Sequence, residues 1–112
     1  LLLQAHLQRI VNGGGRIERE YALGRGRTDL LIAWPRGGGE RRFVVECKVR
    51  RGDLERTITE GLAQTRAYVD RCNAEAGHLI VFDRAPERTW DEKIFRREPP
   101  PGPEAPVTIW GM

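Results

Sequence analysis

Glu46 and Lys48 stand two residues apart inside an otherwise apolar run, Phe43-Val44-Val45-Glu46-Cys47-Lys48-Val49. The run is dominated by β-branched and aromatic residues, which predicts a strand. Residues two apart on a strand share a face, so Glu46 and Lys48 project together while Val45, Cys47 and Val49 point the other way. A carboxylate and an ammonium among such neighbours are costly to bury unless each has a partner. Asp29 lies on the preceding predicted strand, residues 28–34, where Asp29, Leu31 and Ala33 share a face. A hairpin of about this length brings Asp29 close to Glu46. Two carboxylates converging beside a lysine make a place for a divalent cation, since Mg²⁺ takes one or two carboxylates together with waters and phosphate oxygens. Plainer readings stay open here. Asp29 is also a residue type for a cap or turn, and Glu46 with Lys48 also fits a cross-strand ion pair on a wet sheet face.

The elements that must position these residues follow from patterning. Leu3, Leu7, Ile10 and Val11 form a helical stripe over residues 1–12, stopped by Asn12-Gly13-Gly14-Gly15. Residues 16–23 and 28–34 read as strands joined through Gly24-Arg25-Gly26-Arg27, and residues 35–40 as a second turn before the strand at 43–49. A phosphate-cradling loop would be followed by a helix, and here a strand follows, so the glycine-arginine stretch reads as a turn. Asp53 is a suitable N-cap for a long helix whose core stripe is Leu54, Ile58, Leu62, Thr65, Val69, Cys72 and Ala76, ended by Gly77. Leu79-Ile80-Val81-Phe82 has the pattern of a buried parallel strand reached by that helical crossover. Residues 98–106 are proline-rich and form an extended connector, after which Val107-Thr108-Ile109-Trp110 returns as an edge strand. The predicted order is α-β-β-β-α-β: an α/β domain with a mixed four-stranded sheet flanked by helices. It occupies residues 1–97, and residues 98–112 are a tail of the same domain.

The 112 residues are 39% hydrophobic and 31% charged, which suits one modest core beneath a charged surface. Lys and Arg exceed Asp and Glu by 19 to 16, a mild excess that permits a polyanionic partner without demanding one. No apolar run approaches the roughly 20 residues of a membrane span, and Leu1-Leu2-Leu3 lacks the basic leader of a secretory signal. Cys47 and Cys72 form no CxxC pair and nothing at zinc-ligand spacing, so the expectation is a reduced, cytoplasmic protein. Met112 is the only methionine and the chain opens inside a helical pattern, so it is expected to be the C-terminal domain of a larger protein whose N-terminal domain is missing here.

Three segments carry a resemblance. Gly26-Arg27-Thr28-Asp29-Leu30-Leu31-Ile32, then Val44-Val45-Glu46-Cys47-Lys48, then Gln64-Thr65-Arg66-Ala67-Tyr68 resemble, in order, the glycine-aspartate motif, the E-x-K strand and the Q-x-x-x-Y helix motif of the PD-(D/E)XK nuclease superfamily in its RecB-like branch. The resemblance spans roughly residues 15–83 and implies a restriction-endonuclease-like core. It implies a nuclease working with Mg²⁺ or Mn²⁺ on nucleic acid, DNA ahead of RNA. Asp29 and Glu46 would ligate the metal, with the backbone carbonyl of Cys47 as third donor. Lys48 would orient or help deprotonate the attacking water and stabilise charge on the scissile phosphate. Gln64 would reach the water or a phosphate, with Tyr68 beneath it or against the nucleic acid. Arg25, Arg27, Arg50 and Arg51 are candidates for backbone phosphates. The first helix departs from the family pattern, because it offers Gln4, His6 and Gln8 where many members have a Glu or His. The alternative is a catalytically silent nucleic-acid-binding or interaction domain on the same fold, appended to an ATP-binding protein, a role its Val107-to-Met112 ending also resembles. In a third reading the domain serves assembly, with Trp90, Phe95 and Trp110 packing against a partner. A homodimer stays open.

Overall fold

The computed structural model describes residues 14–23 and 26–112 together with Arg9; the side chains of residues 17–29 and of Arg36 are outside the description. The predicted first helix, with His6, and the residues Gly24 and Arg25 therefore lie outside it.

Three strands come first: β1 (Arg16–Leu23), β2 (Gly26–Arg36) and β3 (Gly39–Val49). They form the expected antiparallel meander, with Arg16↔Ala33 in one register and Leu30↔Val45 in the next. The turn between β2 and β3 is tighter than the residue 35–40 expectation. Only Gly37 (φ 51°) and Gly38 (φ 87°) stand outside the ladder that Arg36↔Gly39 closes. Positive φ at both central residues is the two-residue hairpin geometry whose twist matches the strands, and glycine adopts it without a Cβ penalty.

Helix α1 (Leu54–Arg71) crosses over and returns the chain as β4 (Ala76–Phe82), parallel to β3 through Val44↔Gly77 and Lys48↔Val81. Asp53 caps it, accepting from the Arg56 N–H at 3.0 Å. The helix ends earlier than the stripe suggested. Asn73 takes a left-handed backbone (φ 52°), and the Ala74 N–H bonds back to the Val69 carbonyl. Asparagine tolerates that conformation, so it terminates the helix there. Ala76 and Gly77, expected at the helix end, belong to β4 instead.

The tail corrects the strand count. A short helix α2 (Trp90–Lys93), then β5 (Phe95–Arg97) and β6 (Val107–Gly111), complete a six-stranded sheet in the order β1-β2-β3-β4-β6-β5, against a four-stranded core with one C-terminal edge strand expected. β6 is no edge strand. It lies parallel to β4 through Leu79↔Ile109, and β5 takes the edge antiparallel to it. The proline-rich connector, which cannot hold a ladder, gives the chain the length to swing round and insert β6. The molecule is thus α/β with a mixed sheet.

One sheet face lies under α1, where Leu79, Val81, Val107 and Ile109 pack on Ile58, and Leu31 and Val44 pack on Val69 and Cys72. Ile32, Val45 and Ile80, with Cys47 and Trp110 beside them, form a second cluster on the opposite face. No helix among the described residues is long and apolar enough to cross a membrane.

Candidate functional site

The alternation read from the third strand is realised in β3. Val45 and Cys47 join the cluster away from α1, whereas Val44 packs under α1. Glu46 and Lys48, in phase with Val44, therefore belong to the helix-covered face. Glu46 is 8% exposed, so its carboxylate is set into the sheet rather than standing in solvent.

Lys48 meets α1 directly. Its stem runs beneath Gly61, where a Cβ would come within 3.0 Å of Lys48 Cδ and within 2.8 Å of Leu79 Cδ1. Its Nζ ends 3.8 Å from Glu60 Oε2, with the lysine side chain 25% exposed and Glu60 standing in solvent. The other carboxylate oxygen of Glu60 pairs with Arg56 Nε at 3.3 Å. Sequence reasoning missed both Glu60 and Gly61. The available signal was the glycine, because a helix-interior Gly costs about 1 kcal/mol relative to Ala and so advertises close packing.

Farther along α1, Gln64 is exposed one turn past Glu60. Tyr68 is half-buried against the Leu31, Val44, Val69 and Cys72 cluster, a setting at the edge of the core. Glu60, Gln64 and Tyr68, spaced by four, run down one side of the helix. The helix is thus anchored on Lys48 at Gly61 and on Val44 at Val69. Glu46 lies on β3 between those two strand positions.

Asp29 precedes Leu30 in β2, and Glu46 follows Val45 in β3. The β2–β3 pairing runs to Leu30↔Val45, and Asp29 and Glu46 are the residues that flank that last pair. The side chain of Asp29 is outside the described residues, so its expected convergence with Glu46 and Lys48 lies there too. The backbone of Cys47 can be oriented from its neighbours. Arg42 accepts at its carbonyl from the Glu75 N–H that leads into β4, and the Arg50 N–H donates to the Phe82 carbonyl of β4. Backbone polar groups alternate between the two edges of a strand. Even-numbered residues of β3 thus face β4, and Cys47 turns its N–H and carbonyl toward β2, the strand of Asp29.

Arg50, a candidate for a backbone phosphate, has an internal partner. It donates from Nε to the Gly52 carbonyl at 3.1 Å and pairs from Nη1 with Asp83 Oδ2 at 3.4 Å. Asp83, whose side chain is 6% exposed, also receives Arg88 through Nε at 2.5 Å and Nη2 at 3.0 Å, and the Ala85 N–H at 3.0 Å. The Arg88 hydrogen bond, then that of Ala85 and the charge of Arg50, hold the Asp83 carboxyl well below the ordinary carboxylate range against the desolvation that opposes them. Arg51, by contrast, is exposed. Arg27 lies on β2 with its side chain outside the described residues.

Of the three aromatics considered for a partner surface, Phe95 packs against the α1-side core, and Trp110 donates to His78 Nδ1 at 3.1 Å on the opposite face. Trp90 is the exposed one, at 68%. Among the described residues no three His, Cys, Asp or Glu side chains come together as a metal cluster, a set from which Asp29 is missing. Compared with known proteins, the chain matches no family model, no curated protein and no solved structure.

Proposed function

We propose that the chain is a divalent-metal-dependent nuclease domain with a restriction-endonuclease-like core, hydrolysing phosphodiester bonds of DNA. One observation carries the reading: Glu46 and Lys48 lie together on the helix-covered face of β3, with Glu46 nearly buried and Lys48 reaching α1. The succession β1-β2-β3-α1-β4 supports the finer fold assignment, with β5 and β6 as additions beyond β4.

The donor chemistry fits a hard cation. Glu46, Asp29 and the β2-facing carbonyl of Cys47 offer oxygen only, since the Cys47 thiol packs in the cluster on the opposite face. Such a set suits Mg²⁺ or Mn²⁺. A divalent cation, when bound, supplies neutralisation of the phosphate and a readily ionised water.

Lys48 brings a positive charge to the site on a stem held between strand and helix. That charge stabilises the additional negative charge which develops on the phosphate oxygens as water attacks. Gln64, exposed on α1 one turn past Glu60, can donate from its amide to a phosphate oxygen or accept from the attacking water. Arg51, exposed just beyond β3, is available to a backbone phosphate, as a contact that positions the strand without reading its sequence.

Exposed Trp90 and Ile94 favour a second reading, a silent interaction domain on the same fold. Incubation with supercoiled plasmid, linear duplex, single-stranded DNA and RNA, with Mn²⁺ and then with excess chelator, separates the two. The nuclease reading expects Mn²⁺-dependent cleavage that Glu46→Ala and Lys48→Ala both remove. Cleavage unchanged in both variants assigns it to another site or a contaminant, and absence of Mn²⁺ binding by calorimetry favours the silent domain.

A further inference from the structure

Lys48 is held by two features of α1 that none of the family-like motifs contains. Gly61 leaves a slot for the lysine stem, bounded on its other side by the fully buried Leu79. Any side chain at position 61 would enter that slot, and Leu79 has no room to retreat. Glu60, the residue before, sets its Oε2 at 3.8 Å from the amine while Arg56 steadies its Oε1. At 3.8 Å the contact exceeds hydrogen-bond length, so it is a charge tether.

We infer that Glu60 and Gly61 form a positioning device for Lys48. The glycine fixes the path of the stem, and the glutamate holds the amine in place until an anionic phosphoryl oxygen takes it over. The inference rests on the nuclease reading for its purpose and on the geometry for its existence. A tight, desolvated pair would make the amine costly to transfer. A loose pair with a half-solvated glutamate is exchanged cheaply for a phosphodiester oxygen whose negative charge grows as water attacks. Glu60 is thus a positioning residue, acting through Lys48 and not on the metal.

The test uses the whole chain and three variants, Glu60→Gln, Glu60→Ala and Gly61→Ala, each checked for folding by circular dichroism. Lys48 acylation by an amine-reactive ester, read by peptide mass spectrometry, should rise severalfold when Glu60 is neutralised. In Mn²⁺-dependent plasmid nicking, kcat should fall about ten-fold or more, the scale on which misplacement of a catalytic group acts. KM and the Mn²⁺ affinity from calorimetry should hold within about two-fold, since neither substrate nor metal contact is removed. Unchanged acylation and unchanged kcat in Glu60→Ala overturn the inference. A tenfold loss of Mn²⁺ affinity in Glu60→Gln also overturns it, because Glu60 would then be a metal ligand. Should the wild-type chain fail to nick while Lys48 acylation still responds to Glu60, the nuclease reading falls and the pairing stands.

Discussion

Arg50 and Lys48, two residues apart at the end of β3, both meet a carboxylate from another element, and the two pairings are built to opposite designs. Asp83 is nearly buried, receives two guanidinia and a backbone N–H, and sits where β3, β4 and the chain's last residue meet, its own N–H bonding to the Met112 carbonyl at 2.9 Å. Glu60 stands in solvent on α1 and touches Lys48 only at long range. Every acceptor site of the first carboxylate is answered, so its arginines are fixed and contribute rigidity. The second leaves its lysine aimed but not consumed. In a small basic domain with many arginines, the charges open to chemistry are those whose partners are loose.

The contrast is broken most decisively at the lysine itself. Lys48→Ala and Glu46→Ala are each expected to lower Mn²⁺-dependent nicking by about 100-fold or more, the scale on which removal of a preorganised charge acts, with the thermal melt retained. Loss of the melt along with activity would place both residues in the scaffold with Asp83.

Gly61→Ala comes next, at about 1–3 kcal/mol of lost stability from overpacking against Leu79 and the lysine stem, measured by urea denaturation. A neutral outcome would mean that α1 lifts freely off the sheet and that the slot is not rigid.

Asp83→Asn tests the tight side of the comparison through pH. Because the folded carboxyl titrates below its unfolded value of about 3.9, its contribution is full above that pH and is lost as the pH falls further. The wild-type melting temperature should therefore drop steeply below about pH 4, and Asp83→Asn should start lower at neutral pH and show a flatter acid limb. An identical acid limb in the variant would show that Asp83 does not set it.

Asp53→Ala has the smallest effect, about 1 kcal/mol by denaturation, from loss of the cap on the helix that carries Glu60 and Gly61.

Local rules made much of this legible. The alternation in Val44-Val45-Glu46-Cys47-Lys48 put Glu46 and Lys48 on one face, and the helical stripe put Ile58, Thr65, Val69 and Cys72 inward, as found. The Asp53 cap and the start of α1 were readable because both depend on neighbours a few residues away. The helix end was not, because Asn73 competes with a stripe that runs on in phase to Ala76 and only the pairing of β4 with β3 decides between them.

What the residues determined alone was therefore periodic and local: which faces are apolar, that the strands of the meander are joined by glycine turns, and that a carboxylate and an amine lie side by side on a strand. What only tertiary structure decided was long-range pairing. β6 inserted beside β4, Arg50 was claimed by Asp83, and Lys48 was placed under Gly61 and against Glu60. Those outcomes depend on which strand edge is open and which helix turn crosses it, and no periodicity within one segment encodes the position of another.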